Sequence, residues 1–137
     1  MPNPSNSPYA LVADDDGLVR WDAVTILEDA GFHALSAANG VEAIKLLDQY
    51  AGSIVLLFTD VEMPGGPDGF EVARTAARRW PDISIVVASG GVQPGVGDLP
   101  DGAIFLDKPF SAGMVHDHLD MILPDGRKPE PLKALKR

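Results

Sequence analysis

The five unbroken apolar residues Ile54-Val55-Leu56-Leu57-Phe58 constrain the fold of this chain more than any other stretch. A strand exposed on one side alternates apolar and polar residues, whereas a continuous apolar run suits a strand covered on both faces, as in the middle of a parallel sheet. Parallel strands need long crossovers, and the flanking sequence supplies helices for them. Tyr9-Ala10-Leu11-Val12-Ala13, His33 to Ala37, Ile83 to Ala88 and Ala103 to Leu106 read as the other strands. Between Leu18 and Ala30, the residues Leu18, Trp21, Ala23, Val24, Leu27 and Ala30 recur at three- and four-residue steps, and Gly31 stops that helix. Asn39-Gly40 opens a second helix, with Val41, Ile44, Leu47 and Tyr50 facing inward. Asp68 caps a third, from Gly69 to about Trp80, which Pro81 ends. Ser111 caps a last one, whose Met114, Leu119, Met121, Ile122 and Leu123 are expected to face the sheet. This alternation predicts an α/β fold: a doubly wound parallel sheet with right-handed crossovers and helices on both faces. Ligands then bind outside the carboxyl ends of the strands.

Residues of one chemical kind stand at those ends: Asp14-Asp15-Asp16 after the first strand, Asp60 after the central one, Ser89 after the fourth and Lys108-Pro109 after the fifth. Taken alone, the lysine pair is as compatible with a surface turn, and Ser89-Gly90-Gly91 with a flexible loop. Strand ends converge in space, however, and together the four make a phosphoryl-transfer site. Clustered carboxylates repel one another, and a hard cation, Mg²⁺ or Mn²⁺, held by Asp14, Asp15 and Asp60 keeps them ionised. The Asp60 carboxylate can then act as nucleophile and become an acyl phosphate, with Lys108 and Ser89 neutralising and hydrogen-bonding the phosphoryl oxygens. Asp16 is read as merely solvated, and His33, His116 and His118 as incidental.

The chain's 137 residues, 45% hydrophobic and 23% charged, are enough for one domain with a real core. A net charge of -9 repels nucleic acid and anionic lipid. Residues 124–137 hold five basic and two acidic residues, which leaves six against eighteen in residues 1–123. With no cysteine there is no disulfide or thiolate metal site. The start Met-Pro-Asn-Pro-Ser-Asn-Ser-Pro lacks the apolar stretch of a secretion signal, and no apolar run is long enough to span a bilayer, so a cytoplasmic location is expected.

Val12-Ala13-Asp14-Asp15-Asp16, Thr59-Asp60-Val61-Glu62-Met63-Pro64, Val87-Ala88-Ser89-Gly90 and Leu106-Asp107-Lys108-Pro109-Phe110, in this order, resemble the receiver domain of bacterial two-component response regulators. The resemblance covers roughly Tyr9 to Leu123. It implies a flavodoxin-like five-stranded sheet of order 2-1-3-4-5, with Asp60 as phosphoacceptor and Asp14 and Asp15 as the acidic pair. Glu62 would offer its backbone carbonyl to the metal, while Ser89 and Lys108 read the phosphoryl group. Phe105 matches the switch aromatic that moves inward with Ser89. The implied upstream partner is a histidine kinase or histidine phosphotransfer protein, and the implied state a monomer or a weak phosphorylation-dependent dimer. The downstream protein is not named by the sequence. Side chains two positions after the acceptor and after the hydroxyl residue, Glu62 and Gly91, are expected to tune loss of the phosphoryl group.

Two departures bear on signalling. Gly65-Gly66-Pro67 lengthens the loop after Met63-Pro64. Five glycines and two prolines between Ser89 and Ala103 (Gly90, Gly91, Gly95, Gly97, Gly102, Pro94, Pro100) stand where the fourth helix should be, so that helix is expected to be short or irregular, and ordered on phosphorylation or partner binding. Residues 1–8 and 124–137 are expected to be flexible, the latter a basic tail too short for an output domain, as in a stand-alone or excised receiver. A phosphohydrolase that forms an aspartyl phosphate fits less well, since the place two residues after the nucleophile holds Glu62 instead of aspartate. A receiver-like interaction module without phosphorylation conflicts with the complete site; a phosphate sink or relay intermediate stays open.

Overall fold

The computed structural model describes residues 7–135. Five strands, β1 (Tyr9–Ala13), β2 (His33–Ala37), β3 (Ile54–Asp60), β4 (Ser84–Ser89) and β5 (Ile104–Asp107), form one parallel sheet of order β2-β1-β3-β4-β5. The helices are α1 (Gly17–Asp29), α2 (Gly40–Gln49), α3 (Gly69–Arg79), α4 (Ala112–Ile122) and a short α5 (Glu130–Leu135). The predicted class, strand order and two-sided covering are all present. Ile54 and Leu57 of β3 face a core with α2 and α3, whereas Leu56 and Phe58 face one with α1, α4 and Leu132 of α5.

Helix starts follow local hydrogen-bond chemistry. Asn39 Oδ1 accepts from the Glu42 amide at 2.9 Å. Asp68 and Glu71 form a reciprocal capping box, and Ser111 Oγ accepts from the Met114 amide. Asp16 corrects the expectation of mere solvation, because its Oδ1 accepts from the amides of Leu18 and Val19 and caps α1. The inward stripe of α1 is also narrower than its apolar pattern. Ala23, Ile26 and Leu27 are buried, while Leu18 and Trp21 are 82% and 69% exposed. Trp21 stands two residues, about 200°, around the helix from Ala23, so the two cannot share a face. Val41, Met114 and Met121, also expected to face the sheet, are exposed for the same reason.

Residues 90–103 contain no helix, as the glycines and prolines there imply, yet they are tethered. Ser89 Oγ accepts from the Gly91 and Val92 amides, Asp98 Oδ2 accepts from the Gly95 amide at 2.7 Å, Gln93 donates to Asp107, and Arg74 donates to the Asp98 carbonyl. Leu99 packs on the α3-side core.

The C-terminal segment differs from the expected flexible tail. Residues 125–127 form a 3-10 turn and α5 folds back on the domain, with Leu132 wholly buried beside α1 and α4. Arg127 donates to the Asp82 carbonyl at 2.8 Å, and Lys128 pairs with Asp120 and Asp125. The basic composition misled because the apolar content is small but well placed: one leucine fills a core position. Gly31 makes room, having φ of +101° and standing where a Cβ would lie 2.6 Å from Pro129 Cβ. Residues 1–6 of the expected N-terminal flexible segment, and 136–137 of the tail, lie outside the described residues.

Candidate functional site

Sheet register brings the chemistry together. Ala13 pairs with Thr59, Asp60 with Ala88 and Ser89 with Asp107, so four neighbouring strands end at one level. The next residues of β1 and β5, Asp14 and Lys108, project from that edge beside Asp60 and Ser89. Gly69 opens α3 directly against the end of β3: its amide donates to the Val61 carbonyl at 2.8 Å, and a Cβ there would overlap the Asp60 carbonyl.

Asp14 and Asp60 are buried and Asp15 is exposed, and one carboxylate oxygen of each lies within 4.8 Å of the others. Lys108 Nζ donates to Asp14 Oδ2 at 3.0 Å and to Asp60 Oδ1 at 2.9 Å. The lysine amide donates to the Ser89 carbonyl at 2.8 Å, and the Lys108-Pro109 peptide is cis. Asp14 is fixed through its backbone and side chain, its carbonyl accepting from Arg20 and its Oδ1 from the Asp16 amide. Burial, reinforced by the charges of Asp14 and Asp15, raises the Asp60 carboxyl above its ordinary 3.8, against the opposing hydrogen bond from Lys108. Burial alone would lower the Lys108 ammonium, but its hydrogen bonds to Asp60 and Asp14 outweigh this and hold it above 10.5.

An open cavity of about 450 Å³ exposes this cluster, lined by Asp14, Asp15, Asp16, Val19, Asp60, Glu62, Pro64, Gly90 and Lys108. The oxygen-only donor set suits a hard divalent cation, and the cluster of three acids could hold a metal ion. Of the expected site residues, Asp14, Asp15, Asp60, Glu62 and Lys108 are together. Ser89 is buried at the adjoining strand end, Phe105 is half-buried against the α3-side core, and Gly91 is outside the cavity lining although its amide reaches Ser89. Sequence reasoning missed Val19 in the cavity lining and put the exposed Leu18 and Trp21 in the inward repeat of α1, since periodicity marks apolar residues without saying which way they turn. It also missed Arg20, which lacks a motif but holds the Asp14 carbonyl.

Comparison with known proteins places the chain in a family. Residues 10–120 match the family model described as response regulator receiver domain. The chain is 38% identical over 103 residues to the response regulator receiver protein CpdR of Brucella abortus, covering 73% of this chain and 83% of that one. It is 34% identical over 110 residues to the sensor kinase CckA of the same organism, covering 78% of this chain but only 12% of the kinase. A solved receiver protein from Sinorhizobium medicae superposes with a TM-score of 0.76 at 32% identity, covering 88% of this chain and 97% of that one. Among the described residues no helix is long and apolar enough to cross a membrane. With the family model spanning most of the chain, the fold in its order and the acidic cluster at the strand ends, the chain belongs to the response regulator receiver family, the phosphoacceptor domains of two-component signalling.

Proposed function

We propose that Asp60 is the phosphoacceptor and takes its phosphoryl group from a phosphohistidine on a histidine kinase or histidine phosphotransfer protein, in the cytoplasm. The observation that carries this reading is the Asp60 carboxylate at the tip of β3, within hydrogen-bond reach of Lys108 and beside two further acids. A carboxylate oxygen forms the P–O bond while the P–N bond to the donor imidazole breaks, the electron pair staying on the ring nitrogen. Held by Asp14, Asp15, Asp60 and the Glu62 backbone carbonyl, Mg²⁺ or Mn²⁺ would screen the charge between nucleophile and phosphoryl oxygens. Lys108 neutralises a phosphoryl oxygen from its place between Asp14 and Asp60. Glu62 adds charge at the cavity and Gly91 guides no water, which favours a long-lived acyl phosphate. Intact-mass measurement after incubation with a small acyl phosphate and Mg²⁺ tests the reading: one stable phosphoryl increment is expected, and its absence overturns it.

Ser89 links acceptor and loop. Its oxygen accepts two amide hydrogen bonds, from Gly91 and Val92, while its own hydroxyl proton is available to a phosphoryl oxygen. A serine drawn toward the phosphoryl group therefore loosens residues 90–92, the reverse of the ordering expected from composition, and Phe105 on the neighbouring strand responds to the vacated space. Ser89→Ala is expected to slow phosphoryl uptake roughly tenfold to a hundredfold, by loss of one donor to the developing charge, and to speed amide exchange at Gly91 and Val92. Unchanged uptake would remove Ser89 from the site.

The donor docks over the cavity mouth, where Val19 lines both the acidic cavity and a neighbouring groove with Asp22, Pro109 and Phe110. Leu18, exposed next to Val19 and one turn before Asp22, extends this apolar rim along α1. Leu18→Gln is expected to slow transfer from a phosphohistidine protein by about tenfold while leaving uptake from a small acyl phosphate unchanged, because only the protein donor needs the rim. Equal slowing of both would show damage to the site instead.

A further inference from the structure

The pole opposite Asp60 carries a second concave site of different chemistry. The seven residues of β3 separate the two poles by about 20 Å. A cavity of about 370 Å³ opens where β3 and β4 begin, and its floor includes Ile54, Val55 and Ile83. Trp80, the C-cap of α3, forms one wall; its amide donates to the Ala76 carbonyl, its own carbonyl accepts from Ile83, and Pro81 turns the chain away. The Arg79 guanidinium lies 4.4 Å from the Trp80 ring centroid, and its Nη2 reaches Asp48 at 3.2 Å. Arg127 closes the cavity from the folded-back C-terminal segment through its bond to the Asp82 carbonyl.

Guanidinium groups set the chemistry of this cavity. Arg79 and Arg127 line it together with one aspartate, Asp82, in a chain of net charge -9, and Asp48 beside it takes one bond from Arg79. A guanidinium carries five donors in a planar fork suited to phosphate and carboxylate, and the bonds described take one from each arginine. The volume falls at the lower end of the range of small-molecule sites, and an apolar floor with one aromatic wall and a few convergent polar groups is their usual make-up. Nothing in phosphoryl transfer at Asp60 uses these residues.

We propose that the cavity between Trp80, Arg79 and Arg127 is a second binding site, for a small ligand that joins a phosphate or carboxylate to a flat apolar body, with a mononucleotide as the prototype. The anionic group is met by the two guanidinium forks and the flat body by Trp80 and the aliphatic floor. Because Arg127 belongs to the folded-back segment, occupancy also clamps that segment to the β4 entrance.

The test uses the full chain carrying Trp21→Phe, which leaves Trp80 as its one tryptophan. AMP, UMP and phenyl phosphate are titrated against Trp80 fluorescence and by calorimetry, with inorganic phosphate and adenosine as the separate halves. At least one of the three whole ligands is expected to give a saturable fluorescence change, binding at least tenfold tighter than either half. Arg79→Gln and Arg127→Gln are each expected to weaken it tenfold or more, and Asp60→Asn to leave it unchanged. Arg79 lies on α3, so its variant reports on the site even where Arg127→Gln loosens the C-terminal segment. No saturable response to any of the three, a half binding as tightly as the whole, or undiminished affinity in Arg79→Gln overturns the proposal.

Discussion

Asp60→Asn protein is expected to gain no phosphoryl group from a small acyl phosphate under conditions that fully modify the wild type, and wild-type protein in excess chelator is expected to behave the same way. The two losses have different causes. On the proposed mechanism, asparagine removes the nucleophile, whereas chelation leaves it in place and would remove the charge screening that lets an anionic carboxylate approach an anionic phosphoryl group. Restoring Mg²⁺ rescues only the second. The same substitution has a stability signature of opposite sign. The native Asp60 carboxyl holds its proton above the ordinary value of 3.8, so between these two values the native state binds more protons than the unfolded chain. Stability therefore falls as pH rises from about 4 through the raised value. In chelator at neutral pH, Asp60→Asn is expected to melt higher than wild type and to show a flatter pH dependence across that interval. A lower melting temperature would mean that the Lys108 contact outweighs the burial and crowding of the carboxylate.

Leu132→Ala is expected to destabilise the domain by about 3 kcal/mol, the usual consequence of emptying a fully buried leucine site, and to lower the melting temperature by roughly 10 °C. Leu132 shares the α1–α4 core with Leu27, Ala30, Leu119 and Leu123. Gly31→Ala strikes the same junction from the other side. Its positive φ disfavours any L side chain, and the new methyl would press on Pro129 and Pro131. Both variants are expected to keep phosphoryl uptake at permissive temperature, since the junction lies far from Asp60. Chemical denaturation followed by circular dichroism measures the first effect, and a loss below about 1 kcal/mol would mean that the C-terminal segment is dispensable to the fold.

The fold was legible in the sequence where the physics is local or periodic. The apolar run at Ile54–Phe58 announced a doubly covered central strand, and Asn39, Asp68 and Ser111 announced helix starts that their side chains make. Asp14, Asp15, Asp60 and Lys108 were legible as a group because parallel strands of matched register must end at one edge. What was not legible depends on direction or on partners distant in sequence. Trp21 fits an apolar repeat yet faces outward, and Asp16 looked like one more solvated acid although it caps α1. The C-terminal segment read as polar and loose because composition cannot register that a single leucine meets a slot beside a glycine about one hundred positions earlier.

Lys108 lends the acidic cluster an internal counterion, bonded at once to Asp14 and Asp60. Acids crowded at a strand edge would otherwise make folding depend on the supply of divalent ions. With an ammonium built into the chain, the native arrangement of these acids has a counterion of its own and does not wait for one from solution. Folding is thereby separated from the supply of ions, and chelation is expected to block phosphoryl uptake without unravelling the domain.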